Sequence, residues 1–265
     1  GRCSENCKFC AQSAHYDTGC AEVYDLLPTE DILKEAKYND DQGVLRYSIV
    51  TSGKRLTDEE VDQVCESIRK IKEETNIEVC FSFGLLKEEQ LRKVREAGAT
   101  RAHCNLETSR RFFPEICTTH TYDQKIETLK AAVAAGLSIC SGGIMGLGET
   151  LEDRVDMVLT VKELGVKSVP VNFLNPIPGT PYADNKPLTD EEARQCVAVF
   201  RFIIPDASIR LAGGRGLLDD KGRECFQSGA NAAISGDMLT TAGITVQKDM
   251  EMLKDLGYKP QLWED

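Results

Sequence analysis

The sequence predicts an α/β fold, a (β/α)8 TIM-type barrel, from three observations. Short apolar, β-branched runs alternate with longer amphipathic stretches along the whole chain, the pattern of a parallel sheet covered by helices. A length of 265 residues with 41% hydrophobic content fits one such barrel. Polar and thiol side chains gather in or just after the strand-like runs, where barrels of this kind collect their sites.

In chain order, the predicted strands are "VLRYSIV" (44–50), "IEVCFSF" (77–83), "TRAHCNL" (100–106), "LSICSGG" (137–143), "SVPVNFL" (168–174), "ASIRLAG" (207–213) and "ANAAIS" (230–235). Between the first two, "TDEEVDQVCESIRKIKEET" places Val61, Val64, Cys65 and Ile68 on one helical face. Seven strands are one short of a closed eight-stranded barrel, and the chain begins two residues before its first cysteine. The expectation is a first strand upstream of residue 1, on a missing N-terminal piece, with the cysteine loop following it. No linker, repeat or low-complexity segment divides the chain, so residues 1–265 read as a single domain.

The formal net charge is −11, with acidic residues spread through helical stretches. That argues against a nucleic-acid or anionic-membrane surface. No run approaches the roughly 20 apolar residues of a membrane span, and no signal-peptide pattern is present. The reading is a cytoplasmic protein, in which eleven cysteines serve as metal ligands and buried thiols and not as a disulfide framework.

"GRCSENCKFC" sets Cys3, Cys7 and Cys10 in the spacing CxxxCxxC. Structural zinc wants four protein ligands, usually in two pairs. A three-thiolate [4Fe–4S] cluster leaves one iron open for chemistry; zinc or buried thiols are the alternatives. With Phe9 before the last cysteine, the motif resembles the signature of radical S-adenosylmethionine enzymes. The resemblance implies that S-adenosylmethionine chelates the open iron and is cleaved to a 5′-deoxyadenosyl radical.

"CKFCAQSAHYDTG", "CNLETS", "TTHTY", "CSGGIMGLGET", "SVPVNFLNPIPGTP" and "IRLAGGR" occur in that order over nearly the whole chain. Together they are similar to the biotin synthases. That family inserts sulfur into dethiobiotin, drawing it from an auxiliary iron–sulfur cluster. The resemblance implies a homodimer, an electron donor such as flavodoxin or ferredoxin, and a sulfide or cluster-assembly source. Another barrel-type radical enzyme, a hydrogenase-cofactor maturase or carbon-skeleton mutase, is the nearest alternative; a non-catalytic iron–sulfur carrier is a more distant one.

Carried over residue by residue, Cys3, Cys7, Cys10 and Arg210 fall in the catalytic apparatus. Phe9, Glu107, Lys125, Gly142, Gly143 and Asn172 fall at the cofactor, and Asn105 and Asn172 at the substrate. An amide pairs with a ureido group, and a carboxylate suits a ribose diol. Each Asn also reads as a strand-end cap, and Lys125, where an arginine is common in the family, as a solvated helix lysine. Gly142 and Gly143 end a strand where backbone can approach a ligand; Thr150 with Asp153 fits a capping box.

The better-known members hold a [2Fe–2S] cluster with three cysteines and an arginine. Cys80, Cys140 and Arg210 match three of these, but Ser48 stands where the remaining cysteine is expected. The sequence therefore predicts an altered auxiliary cluster on Cys80, Cys140 and Cys104, with Cys20 or Cys117 as further candidates. It allows four irons and extra sulfide. One tension is visible: with Asn105 inward, a pleated strand turns Cys104 outward. Cys65, Cys196 and Cys225 read as packing thiols, and His15, His103 and His120 as surface or core hydrogen bonders.

Overall fold

The computed structural model describes residues 1–19, 22–236, 238 and 243–262. Cys20 lies outside them. Its strands are β1 (Arg46–Val50), β2 (Glu78–Ser82), β3 (Arg101–His103), β4 (Ser138–Cys140), β5 (Gly143–Met145), β6 (Ser168–Phe173), β7 (Ser208–Leu211) and β8 (Ala232–Ala233). The helices are α1 (Thr29–Asp41), α2 (Asp58–Glu74), α3 (Glu88–Glu96), α4 (Phe113–Ile116), α5 (Tyr122–Ala134), α6 (Leu151–Glu163), α7 (Asp190–Ile203), α8 (Arg223–Gln227) and α9 (Val246–Asp255). Each predicted strand is found. No helix among the described residues is long and apolar enough to cross a membrane.

The named strands all pair in parallel, in the order β1-β2-β3-β4-β6-β7-β8, with β5 beside β6. Among the described residues β1 and β8 end this order, giving the curled, parallel half-barrel of a TIM-type α/β fold. "LSICSGG" forms two strands in place of one. The register is the same on both sides of the break, Cys140 opposite Ser168 and Gly143 opposite Val171. Between them Pro170 offers no N–H to the ladder, and a Cβ on Gly142 would sit 2.0 Å from the Pro170 carbonyl oxygen.

Pleating separates the two faces. Ile49, Phe81, Ala102, Ile139, Val169 and Ile209 point outward and are buried under the helices. There they meet stripes such as Val61, Val64, Cys65 and Ile68 of α2, which are at most 1% exposed. Burying one such aliphatic side chain is worth about 1.5–3 kcal/mol. Thr57, Thr121, Thr150 and Thr189 start α2, α5, α6 and α7 through capping boxes, the Thr150–Asp153 pair as the sequence predicts. Cys196 and Cys225 are buried among apolar neighbours.

The opposite, concave face is polar. Register places Ser48 beside Cys80, Cys80 beside Arg101, His103 beside Cys140, and Cys140 beside Ser168. This face encloses a cavity of about 1870 Å3, and Asn105, Asn172, Arg210 and Phe9 reach its wall.

Candidate functional site

The cysteine loop lies at one end of this cavity, held by its own backbone. Cys3 N donates to Gln12 O (2.7 Å), Ala14 N to Cys3 O (2.8 Å) and Cys10 N to Cys7 O (3.0 Å). Glu5 N points at Cys3 Sγ (3.5 Å). Asn6 ties the loop to the turn after α4: its side-chain oxygen accepts from Thr118 N (2.9 Å) and Thr119 N (3.2 Å). The three thiols are half-exposed, so together they could hold a metal cluster with one side open.

Glu107 adopts a left-handed backbone, φ 70°. Its N–H donates to Gly142 O (3.0 Å) and its carbonyl accepts from Ile144 N (2.8 Å). A Cβ on Gly143 would stand 2.3 Å from both Glu107 O and Met157 Sδ. Strand and helix packing thus leaves no room for a side chain at Gly142 or Gly143. What these glycines permit is the placement of Glu107. Its Oε2 and the Oδ1 of Asn105 are buried without partners, two orphaned acceptors that match hydroxyl or amide donors of a bound molecule.

Burial lifts the Glu107 carboxyl above the usual carboxylate range, against the pull of Lys125 and His120. Burial opposes the charge on Lys125, but Cys104 and Glu107 outweigh it and raise that amine. The Lys125 ammonium also lies over the Phe113 ring, 5.9 Å from its centroid. It is therefore a half-buried site cation, not a solvated helix lysine. Asn172 is largely committed to backbone: Nδ2 donates to Gly143 O (3.1 Å) and Oδ1 accepts from Gly213 N (2.9 Å). The clamp reading fits it better than direct ligand recognition.

Deeper on the concave face, Arg210 Nη2 donates to Ser168 Oγ (2.6 Å), which donates to Cys140 Sγ (3.3 Å). Cys80 and Cys140 are both buried. Burial raises the Cys80 thiol, but His103, Arg210 and Ser48 together bring it below its ordinary value, favouring a thiolate. His103 Nε2 is buried with no hydrogen-bond partner. Two thiols, an unsatisfied imidazole nitrogen and an arginine form a donor set that fits an anionic iron–sulfur group.

Two expectations about ligands need correction. Cys104 turns away from the cavity, with Sγ 4.0 Å from the backbone oxygen of Lys125 on α5. The strand alternates, so Arg101, His103 and Asn105 share the inner face, and Cys104 cannot join Cys80 and Cys140. Cys117 lies at the other site, its Sγ 3.4 Å from Asn6 Oδ1 beside the cysteine loop. Its hydrogen bond with Cys7 draws Cys117 down to about 3 and pushes Cys7 up. His120 is buried, with Nδ1 2.6 Å from Glu5 Oε2, while His15 Nε2 meets Ser4 O at 3.0 Å.

Comparison with known proteins decides among the barrel enzymes. The Radical SAM superfamily model matches residues 1–161, and the Biotin and Thiamin Synthesis associated domain matches 170–259. A biotin synthase of Akkermansia muciniphila is 60% identical over 99% of this chain and 81% of its own length. One from Brachyspira hyodysenteriae is 58% identical over 100% and 79%. The chain belongs to the biotin synthase family. It is a radical S-adenosylmethionine enzyme that inserts sulfur into dethiobiotin to form biotin, and the family carries a [4Fe–4S] cluster. Among solved structures, methylornithine synthase superposes with TM-score 0.83 at 20% identity, covering 98% of this chain and 80% of that one. An [FeFe]-hydrogenase maturase from Carboxydothermus hydrogenoformans gives 0.81 at 18%, covering 97% and 64%. These two likenesses concern the fold alone.

Proposed function

We propose that the reaction is divided between the two ends of the concave face. Cys3, Cys7 and Cys10 hold the [4Fe–4S] cluster, and Glu107, Asn105 and Lys125 hold S-adenosylmethionine and dethiobiotin above it. Cys80, Cys140 and His103, with Arg210 beside them, hold the auxiliary cluster. When bound, the first group supplies the 5′-deoxyadenosyl radical and the second supplies sulfur.

The chain's own residues do the rest. The orphaned Glu107 Oε2 accepts from a ribose hydroxyl and the orphaned Asn105 Oδ1 from a ureido N–H. The Lys125 ammonium provides a positive partner for the cofactor carboxylate. The Arg210 guanidinium neutralises charge and orients Ser168 against Cys140. Phe9 closes one wall of the cavity and keeps water from the radical.

The observation that carries the auxiliary site is the shared inner face of Cys80, His103, Cys140 and Arg210, with the His103 nitrogen unsatisfied. Ser48 faces Cys80 from the edge strand, where oxygen ligates iron poorly beside sulfur, so a standard [2Fe–2S] set is incomplete. We also read residues 1–265 as one barrel domain, acting in the cytosol as a homodimer with flavodoxin or ferredoxin as reductant.

The test is iron and sulfide analysis of anaerobically reconstituted protein with Cys3, Cys7 and Cys10 replaced by Ala. Residual iron and sulfide are expected, lost on further Cys80→Ala or Cys140→Ala and unchanged by Cys104→Ser. A chain with no residual cluster, or one whose cluster depends on Cys104, overturns the assignment.

A further inference from the structure

Outside the lumen, one group of side chains has the makings of a second kind of metal site. The ligand atoms of Cys7, Cys117 and His120 all lie within 4.8 Å of one another. Tetrahedral coordination with metal–sulfur bonds of about 2.3 Å and metal–nitrogen bonds of about 2.0 Å places neighbouring ligand atoms about 3.5–3.8 Å apart. The Cys117 Sγ lies 3.8 Å from His120 Nε2 and 3.3 Å from Nδ1, so the sulfur sits beside the ring and an ion on the Nε2 lone pair requires the imidazole to turn toward it.

The surroundings are built for this as well. His120 Nδ1 is 2.6 Å from Glu5 Oε2, so the hydrogen belongs on Nδ1 and the lone pair on Nε2. A carboxylate behind the imidazole is the usual support of a metal-bound histidine. Glu5, Cys117 and His120 are all buried, at 6%, 3% and 8% exposure. The Asn6 clamp on Thr118 and Thr119 fixes the two loops against each other without any metal. Cys7 is half-exposed, which leaves room for water as a fourth ligand.

We infer that, in the cluster-free chain, Cys7, Cys117 and His120 bind a single divalent thiophilic metal ion, with Glu5 holding the imidazole. Both sulfurs bind as thiolates, with the Cys7 proton released to solvent and no electron transfer involved. Because Cys7 is also assigned to the [4Fe–4S] cluster, the ion vacates the site when that cluster is built; this clause alone rests on the proposed cluster ligands.

The probe is cobalt(II), titrated into full-length, cluster-free protein carrying Cys3→Ala and Cys10→Ala, so that Cys7 is the one thiol left in the loop. Thiolate-to-cobalt charge-transfer absorption reports binding. Adding Cys117→Ser, or separately His120→Asn, is expected to remove one equivalent of bound cobalt, while Glu5→Gln weakens that equivalent about 10–100-fold. Circular dichroism and unfolding midpoints check that each variant is folded. Equal cobalt uptake by folded parent, Cys117→Ser and His120→Asn proteins overturns the proposal, as does a missing equivalent in the parent. Failure of the cluster assignment would leave these titrations unchanged.

Discussion

The two thiol sites are made in opposite ways. The loop site draws Cys3, Cys7 and Cys10 from eight consecutive residues, and local backbone hydrogen bonds shape it. The lumen site draws Cys80, His103, Cys140 and Arg210 from four strands, and only sheet register brings them together. A contiguous site survives modest shifts of the sheet. A register-built site depends on every strand pairing between its members, and a one-residue slip would turn its ligands outward.

The largest expected effect separates the sites by chemistry. Cys10→Ala should abolish both 5′-deoxyadenosine and biotin formation, measured in anaerobic turnover with dethiobiotin, S-adenosylmethionine and reductant. Cys80→Ala or Cys140→Ala should abolish biotin while 5′-deoxyadenosine still appears. If both products vanish together in the lumen variants, the two sites are not separable and the comparison fails.

A sharper contrast lies within one strand. His103→Ala should change the spectrum and lower the iron content of the auxiliary cluster and reduce biotin yield at least tenfold. Cys104→Ser, one residue away, should leave both within twofold. Iron analysis and product yield on the pair of variants check this.

Smaller effects concern the scaffold between the sites. Arg215 is buried and bidentate to Asp249 on α9, at 2.9 and 2.6 Å. Arg215→Ala strands a buried carboxylate and should cost about 3–5 kcal/mol in denaturant unfolding, leaving the loop hydrogen bonds of Cys3 and Cys10 in place. At α6, burial opposes ionisation of Asp153, but hydrogen bonds from Ser109 and Thr150 and the charge of Arg111 hold its carboxyl below the usual range. Its stabilisation is therefore full above the ordinary carboxylate pKa, about 3.9, and is lost as pH falls through the depressed folded value. Asp153→Asn should lower stability by about 1 kcal/mol at neutral pH and flatten the acid side of the stability profile.

How much was legible follows from the same contrast. CxxxCxxC is a spacing, and spacing is visible in a sequence. The proposed lumen ligands are an orientation, which becomes visible only when the pleat is followed along the strand. Alternation from Asn105 inward turns Cys104 outward, and the same step, taken one residue further, brings His103 inward. Thiols drew attention to Cys104, while the histidine beside it lacked a recognisable ligand spacing. Cys117 and His120 stand three apart in "CTTH", a metal-ligand spacing in its own right. Their meeting with Cys7 and Glu5 depends on the Asn6 clamp, a tertiary contact no local pattern announces. The break at Pro170 was readable in principle from a proline inside a central strand.

Glu107 carries a cost that the folded chain could shed. A left-handed backbone at a residue with a full side chain is held at about 1–3 kcal/mol of strain, and glycine occupies φ 70° freely. Glycine at this position would ease the fold and remove the carboxylate with its unpaired oxygen in one step. Selection for thermal robustness alone would then tend to erase the site, and a chain bred only for stability would be expected to drift toward an inert barrel.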